Sequence, residues 1–271
     1  MPNSKTILIT GAGTGLGEGA AIGLAKSGHT VIAGVHIDPQ VTALRDKAKE
    51  LGIESNLHVQ RLDILDPYDV IAALRLDIDI LVNNAGIGET GPVFETPLEL
   101  VRKNFETNVF APLSLSQKFI AKFIRAKKKG KVIWLSSMGG LFTPTHFGVY
   151  CSTKHALEAI AESLKEELAP YNIQVQTINP GAFFTGFNER MSETSYRWLD
   201  DDKNFTKKSE LKAAFDAQIS TPDWKLVPQD MIDEMVKVIP ADTGKFRNVF
   251  PQFVEDMLKE LQEKAWKNTV Q

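Results

Sequence analysis

The chain has 271 residues, a formal net charge of −3 and charges of both signs along its length; that is enough for one large α/β domain with a sizeable core, and it offers no basic field to nucleic acid. No apolar run approaches the ~20 residues needed to span a bilayer, and a single cysteine, Cys151, excludes an intrachain disulfide framework and a cysteine-rich metal site. The expectations are one domain in a reducing, cytoplasmic setting, small-molecule partners, and neither nucleic acid nor membrane.

In chain order, Thr6-Ile-Leu-Ile-Thr10 reads as a strand buried on both faces. It runs into Gly11-Ala-Gly-Thr-Gly-Leu-Gly17, and a helical pattern follows from Glu18 to Ser27. In that context glycines point to phosphate: missing side chains allow close backbone approach, and a helix N-terminus offers free N–H groups and a partial positive charge. No Lys-Ser/Thr follows the last glycine, which excludes a P-loop. A second strand at Thr30–Val35, a helix at Pro39–Leu51, a strand at Leu57–Leu62, a short helix after Pro67 and a strand at Ile78–Val82 continue the alternation. Strands alternating with helices predict a Rossmann-like doubly wound parallel sheet covered by helices on both faces. Asn83-Asn-Ala-Gly86 then falls at the carboxyl edge of the sheet, where ligands of such sheets bind.

Leu98 to Lys129 has helical periodicity, broken around Ala111-Pro112 just after Asn108. Lys127-Lys-Lys129 before Gly130 reads as a helix C-terminus with a glycine cap. A fifth strand, Lys131–Leu135, ends in Ser136-Ser137, and a helix runs from Tyr150 to Ala169. Within it, Tyr150 and Lys154 lie one turn apart on one face. A phenol titrates near pH ~10, so using it near neutrality takes about three units, or roughly 4 kcal/mol; one unit charge ~4 Å away at an effective dielectric of ~20 supplies about that much. The expectation is that Lys154 acidifies Tyr150 for proton transfer. A sixth strand at Ile173–Ile178 leads to Asn179-Pro-Gly181. From Phe183 to about Pro228 the chain is polar and weakly periodic but carries Phe183, Phe184, Phe187, Met191, Tyr196, Trp198 and Phe205; this excursion is expected to be a substrate-binding lid. A helix at Asp230–Val238, a strand at Phe246–Phe250 and a helix at Pro251–Lys267 complete the chain. The five histidines show no ligand spacing, so no metal is expected. His146 is expected in an exposed loop.

Taken together, Thr10-Gly-Ala-Gly-Thr-Gly-Leu-Gly17, Asn83-Asn-Ala-Gly86, Asn108, Ser137, Tyr150 with Lys154, and Pro180-Gly181 with Thr185 resemble the short-chain dehydrogenase/reductases in type, order and spacing, nearest to their hydroxysteroid- and retinol-dehydrogenase-like branch. The resemblance implies a sheet of about seven strands, a nicotinamide dinucleotide, and a homodimer or homotetramer packed through the helices at 98–129 and 150–169. It implies catalytic roles for Asn108, Ser137, Tyr150 and Lys154. It also implies cofactor contacts at Gly11, Gly13, Thr14, Gly15, Leu16, Gly17, Asn84, Ala85, Gly86, Pro180, Gly181 and Thr185. Asp63 matches the position that contacts adenine, with helix capping as its alternative. At the end of the second strand, where the family places an acid for NAD or a base for NADP, this chain has Val35 and His36, and the glycine turn offers Thr14. The cofactor expectation is therefore NAD(P) without a choice between the two. The reaction implied is interconversion of a secondary alcohol and a ketone. The competing readings are a non-catalytic dinucleotide-binding sensor or scaffold, and an epimerase or dehydratase of nucleotide sugars, which the short region after Thr185 disfavours.

Overall fold

The structure, a computed structural model, describes residues 4–219 and 226–270. Seven parallel strands form one sheet in the order β3-β2-β1-β4-β5-β6-β7: β1 Thr6–Thr10, β2 Thr30–Val35, β3 Leu57–Arg61, β4 Ile80–Asn83, β5 Gly130–Leu135, β6 Ile173–Pro180 and β7 Arg247–Phe250. The helices between them are α1 Gly15–Lys26, α2 Asp38–Glu50, α3 Pro67–Ala73, α4 Leu98–Phe105, α5 Ala111–Arg125, α6 Gly148–Leu168, α7 Phe187–Ser192, α8 Lys208–Ile219, α9 Pro228–Val238 and α10 Gln252–Ala265. Order reverses between β1 and β4, and the carboxyl ends there open a crevice.

Side-chain alternation divides the core in two. Ile7, Ile9, Val31, Ala33, Val35, Ile80 and Val82 face a layer made by α1, α2 and α9, while Leu8, Ile32, Leu81, Val132 and Trp134 face α3, α5 and α6. Helices α1 and α9 approach closely because α1 has glycine where they touch: a Cβ on Gly19 or Gly23 would fall 2.2 Å from Ile232 or 2.5 Å from Val236. Among the described residues no helix is long and apolar enough to cross a membrane.

The expected break in the helix at 98–129 is a π-helical turn at Glu106–Phe110, immediately ahead of the Ala111-Pro112 step. Pro112 lacks the N–H that an α-helix would give to the carbonyl of Asn108. The C-terminal expectation for this stretch is corrected. Helix α5 stops at Arg125, Lys127 takes the left-handed conformation (φ 51°), and Gly130 already belongs to β5. Lys128 instead pairs with Asp77 and Asp79 at 2.8 and 2.9 Å, tying the helix end to the start of β4.

At the start of β5, Lys131 is almost wholly buried, and its Nζ donates to the carbonyls of Val238, Ile239 and Ala241 at 3.2, 3.0 and 2.8 Å. It thereby caps the C-terminus of α9. A Lys131→Met chain leaves these carbonyls without that donor, and unfolding in urea is expected to show a stability loss of about 1–3 kcal/mol with an unchanged slope.

Candidate active site

The glycine turn lies between β1 and α1. Gly11 is left-handed (φ 64°), and Thr14, at the N-cap of α1, makes no side-chain cap. The first N–H groups of α1 therefore face the crevice unclaimed by their own cap, an arrangement suited to a pyrophosphate. Two of the glycines serve packing: a Cβ on Gly11 would fall 2.7 Å from Ala85 Cα, and one on Gly17 2.3 Å from Asn84 Nδ2. Asn84 holds the turn by donating from Nδ2 to the carbonyls of Thr10 and Gly11 at 2.8 and 3.0 Å. Thr10 Oγ1 accepts from the N–H groups of Asn84 and Ala85, both at 3.1 Å. Turn and β4 edge are thus one rigid body with exposed amides.

At the other end of the crevice, Ser137 caps a 3-10 turn at Met138–Gly140, with Oγ accepting from Gly139 N–H at 3.0 Å. The Ser137 hydroxyl also stands close enough to the Tyr150 phenol to draw its pKa down, so the structure brings together two side chains that sequence spacing alone cannot join. Lys154 donates to the Leu135 carbonyl at 2.8 Å, and its Nζ lies 5.6 Å from the centre of the Tyr150 ring. The expected acidification is corrected here. Burial pushes the phenol above its usual pKa, the Ser137 hydroxyl only partly opposing it, and burial also brings Lys154 down to about 8, against the pull of Glu158. Tyr150 is therefore held as the protonated phenol.

Asn108 sits in the π turn, where its Oδ1 accepts from Ile87 N–H and its Nδ2 donates to the Ile87 carbonyl, both at 2.8 Å, and to Thr153 Oγ1 at 3.0 Å. With these bonds made, the side chain clamps the segment after β4 to the helix that carries Lys154. Among the predicted site residues Asn108 is the one that does not line the crevice.

The others border one cavity of about 440 Å³: Gly11, Gly13, Thr14, Gly15, Leu16 and Gly17 on one wall, Asn84, Ala85 and Gly86 beneath, His36 and Asp63 at one end, and Ser137, Tyr150, Lys154, Pro180, Gly181 and Thr185 at the other. His36 Nε2 stands 3.5 Å from Asp63 Oδ2. The cap of α3 is Asp66, which accepts from Tyr68 N–H at 2.8 Å; Asp63 accepts from Leu65 N–H at 2.9 Å instead. Asp38 is the first residue of α2 and stands outside the lining. Ser136 also borders the cavity, although its hydroxyl is turned towards Gly140, on which a Cβ would meet it at 2.6 Å.

Sequence reasoning missed Gln40, Lys103 and Arg190, all of which line the cavity. Gln40 Oε1 accepts from His36 and Ile37 N–H at 3.1 and 3.3 Å, and its side chain lies where a Cβ on Gly13 would be. The available signal was its place three residues past Ile37, the N-cap position of α2. Lys103 and Arg190 come from α4 and α7, and nothing local to either distinguishes them from solvated helix residues.

The aromatic excursion divides. Phe187 and Met191 pack on Tyr150 and Cys151, with the Phe187 and Tyr150 ring centres 5.9 Å apart. Tyr196 and Trp198 pack instead on Leu199, Leu211 and Phe215, while Phe205 is solvent-exposed. The excursion is latched to the loop after β4: Trp198 Nε1 donates to Glu89 at 3.0 Å, Thr90 N–H donates to Thr194 Oγ1 at 3.0 Å, and Glu95 accepts from Phe205 and Thr206 N–H at 2.6 and 3.1 Å. His146 is left-handed (φ 69°) and half-buried, edge-on to Phe215 with ring centres 6.3 Å apart, outside the cavity lining. The expected lid also spans residues 220–225, which lie outside the described residues.

The profile of the family described as short chain dehydrogenase matches residues 5–195, and the chain belongs to that family. Among curated relatives, the uncharacterized oxidoreductase YusZ of Bacillus subtilis is 36% identical over 188 residues, 68% of this chain and 66% of the relative, so the chain spans just under two thirds of that protein. The 3-ketodihydrosphingosine reductase of Bacteroides thetaiotaomicron is 31% identical over 198 residues, 73% of this chain and 71% of the relative. Among solved structures, a short chain dehydrogenase/reductase from Burkholderia phymatum in complex with NAD superposes with a TM-score of 0.80 at 21% identity, covering 99% of this chain and 97% of that one. The fold is thus shared across nearly the whole chain.

Proposed function

We propose that the chain is an NAD(P)-dependent oxidoreductase interconverting a ketone and a secondary alcohol, with Tyr150 as the proton carrier. One observation carries the reading: the Tyr150 phenol, with Ser137 and Lys154 beside it, lines the same crevice as an uncapped helix N-terminus set in glycine backbone. In this reading the glycine-turn amides would bind the pyrophosphate, the Asn84–Gly86 main chain and Asp63 would hold the adenosine, and His36 its ribose. Lys154 would hold the second ribose, and Pro180, Gly181 and Thr185 would receive the nicotinamide. When bound, that ring supplies or accepts a hydride at the substrate carbon.

The chain's own residues do the rest. Ser137 donates a hydrogen bond to the substrate oxygen and orients it. The phenol, kept protonated by burial, passes its proton to the more basic alkoxide that forms as a ketone is reduced, and Lys154 stabilises the resulting phenolate. Asn108 keeps Ile87 and the Lys154 helix in register. Phe187 and Met191 beside Tyr150 favour an apolar substrate, with the described part of the excursion, 183–219, serving as its cover; a relative named for reducing a 3-keto compound agrees with that direction. Exposed Val93, Phe94, Leu98 and Phe110 on and near α4 and α5 support a homo-oligomer, which light scattering measures.

The test is nicotinamide absorbance with NADH and with NADPH against a panel of apolar ketones. Net oxidation of either dinucleotide supports the reading. Binding without turnover across the panel favours the non-catalytic sensor, and substrate isomerisation at constant absorbance favours the epimerase.

Lys154 also sets a pH limit. With its pKa near 8, the ammonium is present below that value and lost above it, so kcat/KM for reduction is expected to fall along a one-proton limb above about pH 8. A profile flat to pH 10 contradicts a role for the ammonium.

A further inference from the structure

Behind the crevice lies a buried charge that the proposed reaction does not use. Glu158 stands one helical turn beyond Lys154 on α6, and its side chain is 7% exposed. Its Oε2 accepts from Arg247 Nε of β7 at 2.8 Å, and its Oε1 accepts from Asn179 Nδ2 of β6 at 2.6 Å. Asn179 is wholly buried, and the same Nδ2 donates to the Ser137 carbonyl at 3.1 Å, while its Oδ1 accepts from Thr177 Oγ1 at 2.9 Å. The amide is therefore fixed at both ends, one hydrogen on the carboxylate and the other on the main chain of the residue whose hydroxyl meets Tyr150.

We propose that Glu158 is a positioning residue for this reaction centre: through Asn179 it fixes the Ser137 main chain, and from one turn along the same helix it supplies the counter-charge of Lys154. The inference rests on the reading of Tyr150, Ser137 and Lys154 given above. A structural role alone is a weak reason for a carboxylate here, because an ion pair whose arginine is half-buried, as in Glu158–Arg247, stabilises little. Its location gives the better reason, since one face of the carboxylate reaches the serine and the charge reaches the lysine. The charged groups facing it are Arg247 from β7 and Lys154 from its own helix. Lys165, further along α6, lies 5.2 Å from the Phe246 ring that also carries Arg247 at 5.6 Å, and is paired with Glu166 at 2.6 Å. Loss of the carboxylate would leave Lys154 and Arg247 as two cations without their shared anion, which disfavours the ammonium. Loss of Arg247 alone would leave the anion undivided for Lys154.

The test reads Lys154 directly, without turnover. Protein labelled with carbon-13 at the lysine ε-carbon is titrated by NMR, the Lys154 signal being assigned by its absence in Lys154→Arg. In Glu158→Gln the Lys154 midpoint is expected to move down by roughly one unit or more, and in Arg247→Met it is expected to move up. With an active ketone substrate, the alkaline limb of kcat/KM follows these midpoints, and kcat at neutral pH falls roughly tenfold in Glu158→Leu, which takes from Asn179 the acceptor that Gln would keep. Midpoints unmoved in both variants overturn the proposal. Should Glu158→Gln fail to fold, Arg247→Met decides alone: an upward shift supports the counter-charge and no shift overturns it. Absence of turnover in the unmodified chain with every ketone and both dinucleotides defeats the oxidoreductase reading instead, and the NMR midpoints still report on Glu158.

Discussion

Tyr150→Phe is expected to lower kcat/KM by about 10²–10⁴, or roughly 3–5 kcal/mol of transition-state stabilisation, while dinucleotide affinity stays within about twofold and the fold is kept. The substitution removes one oxygen. In the proposed reaction that oxygen carries the proton to the substrate, and the neighbouring Ser137 hydroxyl still has Gly139 N–H as a donor to accept from at 3.0 Å. The ring keeps its packing on Phe187, Met191 and Cys151, so the loss is confined to chemistry. Steady-state kinetics together with fluorescence titration of the dinucleotide separates the two effects. An enzyme that binds normally and turns over at full rate without the phenol would need another proton source.

The second large effect is expected at Gly11→Val. Gly11 is left-handed at φ 64°, where a β-branched residue is a genuine outlier, and the new Cβ would lie 2.7 Å from Ala85 Cα and 3.0 Å from Ala85 N. Neither atom can yield cheaply, because Ala85 N–H is bonded to Thr10 Oγ1. Backbone strain and overpacking together are expected to lower stability by roughly 2–5 kcal/mol, and the displaced amides to weaken dinucleotide binding by at least about 10²-fold, or ~2.7 kcal/mol. Gly28 is the control. It is also left-handed (φ 87°) but nothing lies within 4 Å of its Cβ position, so Gly28→Ala is expected to cost only about 1 kcal/mol and to leave binding alone. Thermal unfolding and dinucleotide titration of both variants check the contrast.

The sheet was legible because its strands are buried on both faces: Leu8 and Ile9 serve opposite layers, so the sequence shows unbroken apolar runs bounded by glycine and polar residues. The glycine turn and the Tyr150–Lys154 pair were legible because their spacing is local. What was not legible depends on distance in space. That Ser137 meets Tyr150 is set by β5 and α6 packing together, and that Lys103 and Arg190 share a cavity is set by the positions of α4 and α7. The pKa expectation failed for a related reason. Spacing places an ammonium near a phenol, but it does not show that both are buried, and burial raises the phenol against the pull of Ser137 and lowers the lysine against that of Glu158. The excursion's weak periodicity likewise reflects anchoring by Glu89, Thr90 and Glu95 from another part of the chain rather than by one face of a helix.

A crystal structure with an oxidised dinucleotide and a competing apolar alcohol measures the central claim most directly. The account predicts the pyrophosphate on the amides at the start of α1, and the alcohol oxygen within hydrogen-bond distance of both Tyr150 Oη and Ser137 Oγ while its carbon faces the nicotinamide. A dinucleotide bound elsewhere, or a nicotinamide beyond reach of the Tyr150 hydroxyl, would contradict it.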